Sequence, residues 1–72
     1  MLNVLKLKAK IVENGLTVQD LAAAVHMNPA TFYRRLGDKG ESFTVREVTD
    51  IVGALKLSVA EANEIFFNNF VS

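Results

Sequence analysis

Helix-start signals recur along this 72-residue chain at intervals that leave room only for short helices. Thr17, followed three residues later by Asp20, is a short-armed capping box: a hydroxyl accepts from an orphan amide, and an acid complements the helix dipole. Asn28 before Pro29 is a second start, because Asn accepts amide bonds at the cap and Pro has no N–H to lose at the first helical position. Thr44 to Glu47 and Ser58 to Glu61 are full capping boxes, with Phe43 placed to staple onto Val48. Stops fall between the starts: Gly15 ends a first helix, Gly37 and Gly40 bracket a turn, and Leu57 precedes the last cap. The pattern predicts helices over residues 4–14, 18–25, 29–36, 45–56 and 59–69.

Apolar spacing supports this reading. Val45, Val48, Ile51, Val52 and Leu55 form a stripe of helical period, and Leu7 with Ile11 and Leu5 with Val12 do the same near the N-terminus. The alternation in Leu5-Lys6-Leu7-Lys8-Ala9 leaves a short strand there as the alternative. The expected fold class is all-α, a compact five-helix bundle in which residues 1–72 form one domain, since so short a chain cannot support a second core. Half the residues are apolar and 22% charged, the balance of a folding chain. With no cysteine and only His26 as an imidazole, neither disulfides nor a metal site is expected, and no cofactor. The longest apolar run, Leu21 to Val25, is far too short to span a bilayer, and no signal peptide is evident. A cytoplasmic location is therefore expected.

Function concentrates in residues 17–36, two capped helices joined by a turn of about three residues, which is helix-turn-helix geometry. Leu21, Val25, Met27, Phe32 and Leu36 offer apolar contacts across the angle, and the small Ala22 permits close approach. His26 falls where the backbone turns sharply and φ is expected to be positive; it reads as a turn residue without chemistry. On a wheel of about 100° per residue, Phe32 and Leu36 share one face of the second helix, and Ala30, Tyr33 and Arg34 the opposite one. Thr31 and Arg35 lie on the flank. A small residue near a helix N-terminus with Arg a turn later suits a major groove, where guanidinium donates to guanine O6 and N7.

Thr17 to Leu36 resembles the helix-turn-helix of the Cro and repressor type, the XRE-like family. The likeness extends through Thr31-Phe-Tyr-Arg-Arg-Leu36, Phe43-Thr-Val-Arg-Glu47, Ile51, Leu55, Leu57 and Glu64-Ile-Phe-Phe67 to small phage-encoded transcriptional regulators of Gram-positive bacteria. It implies a lambda-repressor-like domain of five helices and a Cro-like repressor acting as a dimer on a double-stranded operator. Recognition contacts would come from Pro29, Ala30, Tyr33 and Arg34. Two positions depart from the family: Val18, with Gln19 next to it, stands where Gln is common, and His26 where the turn usually has Gly. The full expected DNA-binding set is Thr17, Gln19, Asn28, Pro29, Ala30, Thr31, Tyr33, Arg34, Arg35 and Lys39.

One such module buries about 600–1,000 Å² on DNA, too little for operator-grade affinity alone, so a homodimer is expected. Phe66, Phe67, Phe70 and Val71 crowd the last helix with more apolar surface than one monomer face absorbs and are its expected interface. Net charge is zero, but residues 1–39 carry six basic against three acidic side chains, and residues 40–72 two against five. The acidic half is expected to face away from DNA. The alternative function is a non-catalytic protein-interaction module, an adaptor or antirepressor. An enzyme is not expected, nor a small-molecule substrate. Paired acids such as Glu61 and Glu64 suit capping and solvation better than acid–base chemistry, and no phosphate loop, nucleophile elbow or metal-ligand cluster occurs.

Overall fold

A computed structural model describes residues 2–37 and 43–67. Its helices are α1 (Val4–Glu13), α2 (Val18–Ala24), α3 (Pro29–Gly37), α4 (Val45–Leu55) and α5 (Val59–Phe66). No strand forms among the described residues, so the alternation at Leu5 to Ala9 belongs to a helix. Leu7 and Ile11 lie fully inside, whereas Leu5 and Val12 face solvent.

Each helix opens in the same way. A residue with a short polar side chain caps it, an apolar residue precedes the cap, and a second apolar residue sits five positions after the first. The sets are Leu2-Asn3 with Leu7, Leu16-Thr17 with Leu21, Met27-Asn28 with Phe32, Phe43-Thr44 with Val48, and Leu57-Ser58 with Ala62. That is the hydrophobic-staple arrangement, which fixes the angle at which the chain enters a helix. None of the ten apolar members is exposed. At the caps of α2, α4 and α5, Thr17, Thr44 and Ser58 each accept from the third helical amide at 3.1 Å. The acids Asp20, Glu47 and Glu61 each accept from the cap N–H at 2.9 Å. Asn28 Oδ1 accepts from the Ala30 amide at 2.8 Å. Sequence reasoning missed the fifth cap: Asn3 Oδ1 accepts from the Lys6 amide at 3.1 Å.

Three helices also stop in the same way. After α1, α2 and α4 the residues Gly15, His26 and Lys56 take φ of 72°, 60° and 54°. The following amides turn back five residues, from Leu16 to the Ile11 carbonyl, Met27 to Ala22 and Leu57 to Val52, at 2.8 to 3.0 Å. These are Schellman closures, and each apolar residue after the left-handed one packs against the core. A single junction therefore reads left-handed residue, apolar residue, cap, and serves as stop and start at once.

The core gathers Leu2, Leu7, Ile11, Leu21, Ala22, Val25, Phe32, Leu36, Ile51, Leu55, Ile65 and Phe66. Helix α2 packs on α1, α3 and α4, and α1 also packs on α5. Ala22, completely buried, is small enough to let α2 serve three neighbours. Outside the helices, the Asn3 amide donates to the Ile65 carbonyl at 2.7 Å, and the Asn14 side-chain amide donates to the Leu55 carbonyl at 3.3 Å. Both ends of α1 are thus tied to the C-terminal half.

The expected ends of α1, α2 and α4 move in by one residue, to Glu13, Ala24 and Leu55, and two further boundaries need correction. Gly37 is the last residue of α3 rather than part of a turn, and α5 ends at Phe66 rather than running to 69. Phe67 has already left helical geometry, with φ −129° and ψ 24°. The rest of that expected helix lies outside the described residues, as does Gly40.

Candidate nucleic-acid interface

Helix α3 is held by its inner face. Phe32 is completely buried and Leu36 nearly so, and the Phe32 ring meets Phe43 edge-on, centroids 5.5 Å apart at 67°. With these two inside, helical periodicity sets the faces on which the others lie. Ala30 and Arg34 point away from the core, Tyr33 lies on one flank at 52% exposure, and Pro29 is exposed at the first turn. Ala30, Tyr33 and Arg34 therefore form one continuous outward strip at positions i, i+3 and i+4. Arg34 enters no ion pair among the described residues.

The remaining expected contact residues divide. Thr17, Gln19 and Asn28 are exposed at the N-terminal ends of α2 and α3, but the Thr17 hydroxyl and the Asn28 carboxamide oxygen already accept capping bonds. Thr31 is half-buried. Arg35 lies on the flank opposite Tyr33, half-buried, with its guanidinium donating to Glu47 of α4. Lys39 lies outside the described residues. The αL residue His26 is exposed in the turn between α2 and α3, where the expected positive φ is found.

Electrostatics depart from a simple division between a basic half and an acidic half. Lys6 pairs with Glu64, Lys10 with Glu61 and, at 3.4 Å, with Glu13, and Arg35 with Glu47. Among the described residues, and apart from the Glu13 contact, each pair joins a cation of the first half to an acid of the second. The charge split is thus used within the fold to fasten α1 to α5 and α3 to α4. Glu61 illustrates the effect on titration: the Lys10 ammonium and then the Ser58 N–H hold its carboxyl down at about 2, and Lys10 is raised in return. Glu61 caps α5 as expected, while the pairing of Glu61 with Lys10 and of Glu64 with Lys6 was not expected from their spacing.

At the far end, the expected interface residues part company. Phe66 is 8% exposed and belongs to the monomer's own core beside Ile65, so it offers no free surface. Its position on the inner arc of α5 is the cause. Phe67, 42% exposed, borders an apolar groove of about 340 Å³ between α4 and α5, lined also by Phe43, Val45, Val48, Thr49, Val52 and Ala62. Val45, expected in the buried stripe, is 85% exposed at the rim because it sits in the first turn of α4, about 100° from the middle of the arc set by Ile51 and Leu55. Phe70 and Val71 lie outside the described residues.

Sequence reasoning missed the Arg35–Glu47 link and the groove. The wheel did place Arg35 on a flank, and Glu47 was read only as a cap; nothing local says that one carboxylate serves both. Among the described residues, no group of three or more His, Asp or Glu is placed to hold a metal ion, and no helix is long and apolar enough to cross a membrane. Set against protein-family models, curated proteins and solved structures, the chain matches none.

Proposed function

We propose that this chain is a sequence-specific double-stranded DNA-binding protein, a small non-enzymatic transcriptional regulator of the Cro-like repressor kind, with residues 17–36 as its helix-turn-helix and α3 as the recognition helix. The observation that carries the reading is the exposed strip of Ala30, Tyr33 and Arg34, with Ala30 and Arg34 opposite the buried Phe32 and Leu36, Tyr33 on the flank, and Arg34 outside any ion pair among the described residues. In the major groove, Arg34 donates to a guanine edge while Tyr33 and Thr31 meet phosphate or a thymine methyl. The protein acts in the cytoplasm of a bacterial host as a homodimer, with recognition helices roughly 34 Å apart on a palindromic phage or prophage operator.

Selection of bound duplexes from a random-sequence pool tests this directly. A palindrome is expected, with affinity falling steeply as salt rises. Arg34→Ala should cost about 1–3 kcal/mol on the selected duplex and flatten preference at one base position, whereas Lys39→Ala should weaken all sequences alike. No enrichment, or equal losses for Arg34→Ala on selected and random DNA, would remove the reading. The second reading, a protein-interaction module, is favoured by the apolar groove beside Phe67 and by the solvent-facing Leu5 and Val12. It predicts the absence of salt-dependent DNA retention.

A further inference from the structure

Glu47 holds two groups with one side chain. Its carboxylate accepts from the Thr44 N–H at 2.9 Å, closing the cap of α4, and the same Oε1 accepts from the Arg35 guanidinium in α3. The partners are twelve residues apart, and both side chains are about 80% shielded from solvent. Pairing in that environment is less weakened by water and salt than at an open surface. Phe32 fixes the depth of α3 in the core and meets Phe43, the residue preceding the Thr44 cap. Phe32 and Leu36 set which face of α3 turns inward, but two apolar side chains on one narrow arc leave the helix a small residual roll about its axis. The Arg35–Glu47 link, placed about 80° from the middle of the buried arc, restrains that roll.

We infer that Arg35 is a positioning residue for the recognition face: held by the Glu47 carboxylate, it sets the roll of α3 and thereby the direction in which Ala30, Tyr33 and Arg34 point, and it does not itself contact phosphate. The inference rests on the DNA-binding reading. Cation content alone would count both arginines as DNA contacts; the geometry gives them different work, Arg34 toward the ligand and Arg35 toward the scaffold.

Glu47→Gln and Arg35→Met separate the possibilities. Glutamine still offers a carbonyl oxygen to the Thr44 N–H, so the cap survives while the charge is lost. Methionine keeps the apolar stem of Arg35 without its charge. Affinity for the duplex selected from the random pool and for sheared mixed-sequence duplex DNA is measured by fluorescence anisotropy across a salt series, with thermal unfolding recorded for each variant. Each single variant is expected to bind the selected duplex about tenfold more weakly, the scale of a lost charged hydrogen bond. Mixed-sequence binding should move by less than about twofold, and the slope of log affinity against log salt should stay that of the wild type, because no phosphate contact has gone. The double variant should lose no more than either single one, since one link has been cut twice. Arg35→Lys, which keeps a charge within reach of Glu47, should recover part of the loss.

A direct phosphate contact by Arg35 predicts the opposite. Glu47→Gln would then tighten binding by releasing the guanidinium from the Glu47 carboxylate, and Arg35→Met would reduce the salt slope by about 0.9. Either result overturns the inference while leaving the DNA-binding reading intact, and so does unchanged affinity in Glu47→Gln. A wild-type protein that retains neither duplex overturns both together. Should Glu47→Gln fail to fold, the slope for Arg35→Met decides alone.

Discussion

Adjacent aromatic residues in α3 provide the sharpest test of how that helix is seated. Phe32 is completely enclosed, with its ring edge-on to Phe43 at 5.5 Å, while Tyr33 is 52% exposed on the next position. Removing a fully buried Phe ring costs about 3–5 kcal/mol, transfer and cavity contributions together. A domain of this size has a total stability of about 4–11 kcal/mol at the usual 0.05–0.15 kcal/mol per residue. Phe32→Ala should therefore remove from about a quarter to all of the stability. With a urea dependence of about 1 kcal/mol per molar for so small a protein, the midpoint should fall by several molar or vanish. Tyr33→Ala should stay within about 0.5 kcal/mol of the wild type, since little packing is lost and Ala is the better helix former. Urea titrations followed by helical circular dichroism give both numbers from the same preparation. Were Phe32→Ala to cost under about 1.5 kcal/mol, or Tyr33→Ala to cost as much as its neighbour, α3 would be rolled differently and the outward strip would not exist.

Other expectations follow from backbone, charge and surface. His26 and Lys56 sit at φ 60° and 54°, a region costing an L-residue roughly 1 kcal/mol, so at each site the Gly variant should be about 1 kcal/mol more stable than the Ala variant in the same urea assay. Equal stabilities would mean that these junctions do not close as described. Glu61 titrates at about 2 in the folded chain against an ordinary 4.5, so its contribution is complete above about 4.5 and disappears as pH falls toward 2. Glu61→Gln should accordingly flatten the pH dependence of the melting temperature across that window, and parallel curves for variant and wild type would show that Lys10 does not hold the carboxylate. Phe67→Asp, placed at the rim of the α4–α5 groove, should shift a dimer toward monomer in sedimentation at micromolar concentration; an unmoved monomer–dimer balance would exclude that groove as the contact between copies.

What the sequence revealed and what it concealed divide along the range of the interactions involved. Caps, staples and left-handed stops are settled within six residues, so Thr17, Asn28, Thr44 and Ser58 mark four helix starts by residue type and spacing alone. Asn3 was missed because no acid three residues on completes its box. The end of α5 was overrun because nothing between Val59 and Asn69 signals a stop as Gly15 does. The outward strip on α3 was legible because two large apolar residues a turn apart fix the phase of a helix. Arg35, near the edge of that arc, was ambiguous, and only packing against α4 assigns it.

Charge shows the same division with a larger consequence. A net charge of zero argues against a polyanion partner only if the cations and acids are equally available to the partner. In this fold position decides that: Lys6, Lys10 and Arg35 are paired one for one with Glu64, Glu61 and Glu47, and what a partner meets is set by where the other charges lie. Among the described residues, Lys8, Arg34, Arg46 and Lys56 enter no ion pair, nor does Asp50, and Asp20 is occupied at a cap. Counterion release depends on cations that can reach phosphate, not on the sum over the sequence. The salt slope of a monomer on DNA should accordingly follow the number of unpaired cations near α3. Breaking the Lys6–Glu64 pair with Glu64→Gln should leave that slope unchanged, because the lysine it frees lies on α1, at the edge facing α5.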